Sequence, residues 1–187
     1  MRKFLIVVLA IMLHTIVAAQ DYSREYNVSY GAYAASTIYH AFVYETFNDS
    51  DPDRSVGNDW ALGPLSFEYY RRVSRLWSLG AIGVNSNLFY DVFYNREKRY
   101  GVQSVHLTGL AAAKLHWLNK DHFNMYSKAA VGISFNSVRP YDMPFVLPNF
   151  QLSLIGMEYL FSSRHGIFVE FGAGEQGIFH GGISYKM

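Results

Sequence analysis

Along residues 103–117 every second side chain belongs to one row. Val105, Leu107, Gly109, Ala111, Ala113, Leu115 and Trp117 form the first row, and Ser104, His106, Thr108, Leu110, Ala112, Lys114 and His116 the second. A period of two belongs to an extended strand, whose successive side chains leave opposite faces of a pleated sheet, and conflicts with the 3.6-residue repeat of a helix. Residues 123–136 repeat it. Phe123, Met125, Ala129, Val131, Ile133 and Phe135 oppose Asn124, Tyr126, Lys128, Gly132, Ser134 and Asn136. Leu65, Phe67 and Tyr69 oppose Ser66, Glu68 and Tyr70, while Phe179, Gly181, Ile183, Tyr185 and Met187 oppose His180, Gly182, Ser184 and Lys186.

The whole pattern predicts eight strands, at about 24–31, 62–72, 76–91, 100–117, 123–137, 150–161, 166–174 and 177–187. In 150–161 the phase slips: Gln151 and Ser153 share one face and Glu158 takes the other. A bulge near Gly156 repairs this. The connections 73–75, 118–122 and 162–165 are short, whereas 32–61, 92–99 and 138–149 are long; the last, 174–177, is short again. Short turns at one end and long loops at the other describe an all-β, eight-stranded antiparallel up-and-down transmembrane β-barrel. Both termini then lie on the periplasmic, short-turn side. Ile38, Ala41, Phe42 and Glu45 recur at helical spacing within 36–47, which predicts a short helix in the first extracellular loop.

Alternation alone does not say which row faces outward. A secreted lipocalin-like barrel would bury its apolar row around an apolar ligand, and a membrane barrel would turn it to lipid. Only 17% of the chain is charged, against roughly 25% in soluble domains. The polar rows are small and mixed, suited to a packed interior. The chain carries 15 Tyr, 14 Phe and 3 Trp. Tyr69, Trp77, Trp117, Phe123, Tyr159, Phe161 and Tyr185 fall near the short turns; Phe89, Tyr90, Tyr100, Phe135, Phe150 and Phe179 fall near the loop ends. Two such girdles belong at the two membrane interfaces. The aromatic content excludes a disordered chain, the net charge of +1 argues against a nucleic-acid partner, and the lack of cysteine excludes disulfide and thiolate-metal scaffolds.

Met1-Arg2-Lys3, the apolar residues 4–17 and the small Val17-Ala18-Ala19 before Gln20 read as a secretory signal peptide over 1–19, leaving a barrel domain over 20–187. The signal peptide, the eight alternating strands and the terminal amphipathic strand resemble the small OmpA/OmpX-like outer-membrane barrels. Gly63-Pro64-Leu65-Ser66-Phe67-Glu68-Tyr69 and Phe171-Gly172-Ala173-Gly174-Glu175-Gln176-Gly177 are similar to an uncharacterised group of them. The resemblance implies an outer-membrane location, contact with membrane lipid and lipopolysaccharide, and recognition of the last strand by the barrel-insertion machinery. In that family the strand commonly ends in Phe; here it ends Tyr185-Lys186-Met187.

Candidate sites are few. Gly172-Ala173-Gly174-Glu175-Gln176-Gly177 has the spacing of a dinucleotide loop, but a strand rather than a helix follows it, so it is expected to be a tight hairpin. Asp49, Asp51 and Asp53 alternate like calcium ligands, yet Arg54 stands where the loop needs Gly and Trp60 where it needs Glu. They mark the first place to look for a cation. His106 and His116 are about 33 Å apart along one strand and cannot share a metal. Ser104 and His106 share a face about 6–7 Å apart with no acidic orienter, short of triad geometry. His40 with Asp49–Asp53 has no catalytic spacing. Interior charges are more informative. Glu68, Lys114, Lys128, Glu158 and Glu170 are expected at one height, with Lys128 facing the Glu158 strand and Arg72 and Lys186 nearer the rim. Charges in an interior just wide enough for side chains must pair into a network that plugs it. The expected function is therefore non-enzymatic: envelope-structural, or surface-binding through loops 32–61 and 138–149, without catalytic residues, metal or cofactor. A lipid- or lipopolysaccharide-modifying enzyme is the alternative.

Overall fold

A computed structural model describes residues 24–38, 54–94, 97–139 and 144–187. The strands are β1 (Arg24–Ala32), β2 (Arg54–Arg72), β3 (Trp77–Tyr94), β4 (Glu97–Asn119), β5 (Phe123–Arg139), β6 (Phe145–Leu160), β7 (His165–Gly174) and β8 (Phe179–Lys186). They close in sequence order into one antiparallel barrel, with β1 paired to both β2 and β8. Closure removes the free edges that an open sheet would expose.

Side chains segregate as the alternation predicts. Leu65, Phe67, Leu107, Val131, Ile133, Phe135 and Ile183 stand exposed on the outer face. Ser66, Glu68, Ser104, His106, Thr108, Lys114, Asn124, Lys128 and Ser184 are buried inside. The interior also holds an apolar layer of Tyr70, Ile82, Val84, Leu110, Ala112 and Ala130. Of the expected girdle, Trp117 and Phe161 are exposed, and Tyr69, Trp77, Phe123 and Tyr185 half-buried, all on the outer row at the short-turn end. Tyr90 departs from its expected place: it lies in the inward phase of β3 and is buried. The side chain of Tyr100 lies outside the described residues.

The phase slip in β6 is resolved by irregular pairing. The β5–β6 register shifts between Tyr126 and Lys128, and the β6–β7 register between Ser153 and Ile155. Leu154 and Ile155 are consecutive outward residues, so the slip sits just before Gly156 and restores Glu158 to the inner face.

The long connections are shorter than expected. β2 begins at Arg54, β3 and β4 run to Tyr94 and from Glu97, and β6 begins at Phe145. Strand pairing has taken over most of 92–99 and 138–149 and the last part of 32–61. One helical turn spans 35–38, where the Ile38 amide donates to the Ala34 carbonyl at 3.0 Å. The remainder of the expected helix, the signal peptide, His40, and Asp49, Asp51 and Asp53 lie outside the described residues.

The wall has two heights. At the long-loop end β7 stops at Gly174, opposite Gln151, and β1 pairs with β2 only up to Leu65. Residues 145–149 of β6 and 54–64 of β2 continue above these last register pairs.

Candidate functional site

The β7–β8 turn does not project outward. Gly174 (φ 137°) and Gly177 (φ 100°) take backbone conformations that L side chains rarely adopt, and between them Glu175 and Gln176 are fully buried. Gln176 donates through Nε2 to Glu68 Oε1 at 2.5 Å and through its backbone amide to Gln151 Oε1 at 2.8 Å. Glu175 accepts from the Ser36 amide (3.2 Å), Ser36 Oγ (2.7 Å), Ser86 Oγ (3.1 Å) and Asn149 Nδ2 (2.9 Å). Thus the hairpin expected of the glycine-rich motif is present, but its tip folds into the lumen.

Below the turn lies the ion network. Lys128 Nζ sits 2.8 Å from both Glu68 and Glu170, whose other neighbour is His180 Nε2 at 3.1 Å. Lys114 pairs with Glu25 at 2.6 Å, and Lys186 with Glu158 at 2.5 Å. Neutral donors also reach the carboxylates. Asn27 reaches Glu25 and Glu68, Asn124 and Ser184 reach Glu158, and the Tyr126 hydroxyl reaches Glu170. Lys114 also lies over the rings of Tyr70 and Tyr126, 4.2 and 4.3 Å from their centroids, a favourable place for a desolvated ammonium. Arg72 donates to the carbonyls of Ser74 and Arg75 at the adjacent short turn.

Lys114 and Lys128 are register neighbours on β4 and β5. Each turns to a carboxylate across the lumen, on β1 for Lys114 and on β2 for Lys128. Lys114–Glu25 and Lys128–Glu68 are struts across the lumen, Lys128–Glu170 and Lys186–Glu158 each span one intervening strand, and His180–Glu170 joins register partners on β7 and β8. Lys128 does face the Glu158 strand, as expected, but it registers with Ser153 there, and Glu158 pairs with Lys186. Glu25, His180, Gln176 and Glu175 also belong to the interior network, although the sequence did not single them out. Glu25 shares the inward phase of Asn27 and Ser29 in β1, so the signal was present. Nothing in the sequence shows that the turn carrying Glu175 and Gln176 bends inward.

One carboxylate oxygen each of Glu68 and Glu170 and a ring nitrogen of His180 lie within 4.8 Å of one another. The Lys128 ammonium, 2.8 Å from both carboxylates and 3.4 Å from His180 Nε2, already supplies positive charge to this cluster.

His106 and His116 occupy separate levels of the interior. His116 Nε2 bonds Ser78 Oγ at 3.0 Å. His106 Nε2 bonds Ser104 Oγ at 2.9 Å, and its Nδ1 bonds Asn136 Oδ1 at 2.5 Å. The expected gap between Ser104 and His106 is thereby corrected: the imidazole leans along the strand and closes it. Asn136 also accepts from Ser134 Oγ at 3.2 Å, and Ser134 bonds Thr108 at 2.7 Å. Ser104 is fully buried and does not line the neighbouring cavity of about 210 Å³, which His106, Ser134, Asn136 and Asn149 share with Phe145 and Leu147.

No protein-family model matches the chain, and no curated relative does.

Proposed function

We propose that the protein is an integral outer-membrane barrel of the OmpA/OmpX-like architectural kind, exported by a cleaved signal peptide, with no enzymatic activity and a lumen plugged by its own side chains. The carrying observation is the inverted distribution of polarity: aliphatic and aromatic side chains stand exposed around the outer wall while lysines and glutamates are buried inside. A solvated exterior of this kind would be a very large apolar patch for a soluble monomer, and a membrane supplies the partner it needs. The short-turn end is assigned to the periplasm and the long-loop end to the cell surface, where it contacts lipopolysaccharide or a surface ligand.

Fractionation tests this directly. The protein is expected in detergent-extracted outer membranes, migrating faster on electrophoresis when unheated than when boiled. Recovery in the soluble periplasm would sink the proposal. A peptide tag placed within 140–143 is expected to be accessible on intact cells, and a tag at 120–121 only after permeabilisation; the reverse result inverts the orientation.

A second reading has one observation in its favour. Ser104, His106 and Asn136 stand in the order nucleophile, base and orienter of an acyl hydrolase. The burial of Ser104 argues for a structural chain of hydrogen bonds instead. A fluorophosphonate probe is expected to leave the folded protein unlabelled; labelling lost in Ser104→Ala would establish the enzyme.

A further inference from the structure

The low stretch of wall at the long-loop end is flanked by two neighbouring cavities that share lining residues. Outside, Tyr33, Ala35, Ile38, Phe150, Ala173 and Ile178 line most of an apolar groove of about 430 Å³. Inside, the cavity of about 210 Å³ ends on His106, Ser134, Asn136 and Asn149. Ala35 and Phe150 line both. Tyr33, held at φ 61°, turns the chain out of β1, and Ser36 is fastened to Glu175, so the segment bearing Ala35 is anchored there. Among the described residues, no charged side chain lines either cavity. Such a space, mostly apolar with a few polar groups at one end, has the size and make-up of a small-molecule site.

We infer that this is a binding site for one acyl chain and its carbonyl head, entering sideways from the membrane over the low stretch of wall above the β7–β8 turn. The inference rests on the membrane reading, since the groove continues the outer apolar face. The alkyl chain lies against Phe150, Ile178 and Ile38, where it exchanges lipid for apolar wall. The carbonyl end reaches the side-chain amides of Asn149 and Asn136, each of which has a second N–H to donate, while both ring nitrogens of His106 are engaged by Ser104 and Asn136. An ionised carboxylate would meet no cation among the described lining residues and pay a large desolvation cost. The site therefore takes an ester or a protonated acid.

The experiment uses the full chain in phosphatidylcholine vesicles with a diazirine-bearing methyl palmitate, irradiated and mapped by peptide mass spectrometry. Saturable labelling of the peptides containing 33–38 and 145–150 is expected, displaced by unlabelled methyl palmitate. Ala35→Trp adds bulk to the shared lining and is expected to lower this labelling by about tenfold or more, equivalent to about 1.4 kcal/mol of binding. Val131→Trp, on the outer wall of β5, leaves it unchanged. Phe150→Trp serves as a second blocking variant if Ala35→Trp does not fold. Competition by methyl palmitate but not lysophosphatidylcholine identifies a free ester as the ligand; competition by both identifies membrane lipid as a source. Labelling spread around the outer wall in proportion to exposure, or indifferent to both blocking variants, overturns the site. Flotation of the same samples keeps the two proposals apart. Protein that floats with the vesicles and labels evenly loses only the acyl site, whereas protein that does not float contradicts the membrane reading itself.

Discussion

Lys128 has the most demanding position of any single residue described. It is fully buried and serves Glu68 and Glu170 together. Removing one partner of a buried pair leaves an uncompensated charge and costs about 3–5 kcal/mol, whereas replacing the whole pair with apolar residues is often neutral. Lys128→Met is therefore expected to lower unfolding stability in urea, in a phosphatidylcholine vesicle, by about that amount. Glu25→Leu combined with Lys114→Met removes a complete pair and is expected to cost less than either substitution alone. A double variant that costs the sum of the two single costs would show that the strut contributes nothing as a pair. The inward phase of Lys114, Lys128, Glu158 and Glu170 could be read from the sequence. Their partners could not, because alternation fixes a face and leaves unspecified which carboxylate lies across the lumen.

At the scale of elements, the β7–β8 turn is a lid formed by the wall itself. Its glycine spacing announced a hairpin, but the inward bend comes from contacts with distant residues: Gln176 to Glu68, and Glu175 to Ser36, Ser86 and Asn149. These contacts also fix the segment after β1. Glu175→Ala removes the acceptor of the Ser36 amide and is expected to speed hydrogen exchange at Ser36, while amides in the middle of β4 and β5 keep their protection. Unchanged exchange at Ser36 would mean that another group holds the segment. Gly177→Val tests the turn differently. A Cβ there would stand 2.2 Å from the Ala32 carbonyl oxygen at φ +100°, so the variant is expected to fold poorly or lose the inward turn, seen as new proteolytic cleavage at 175–176. The boundaries of β2 and β6 were the least legible elements. Gly63, Pro64 and Pro148 interrupt their composition as loops do, yet pairing with β3 and β5 carries both strands through them.

For the whole molecule, side chains fill the described lumen at two levels. The ion struts occupy one, and the inserted turn with Gln151 and Gln176 occupies the next. Eight strands enclose little more than the volume of their own side chains, so each level needs only a few residues to fill it. Filling at two levels leads to an expectation for conductance. Lys128→Ala opens space in the lower level, but Lys114 remains tied to Glu25, Lys186 to Glu158, and the turn still covers the lumen. The wild type and Lys128→Ala are therefore both expected to give no stable single-channel steps in a planar bilayer. Glu175→Gly with Gln176→Gly removes the side chains that fill the upper level and likewise leaves the struts. Only the combination of Lys128→Ala with the two turn substitutions is expected to produce steps. Their amplitude should fall on restoring Gln176 alone, because its side chain returns to the space beside Glu68. Large, stable currents through the wild type that none of these substitutions changes would show that ions bypass both levels, and the lumen would have to be counted as a pore.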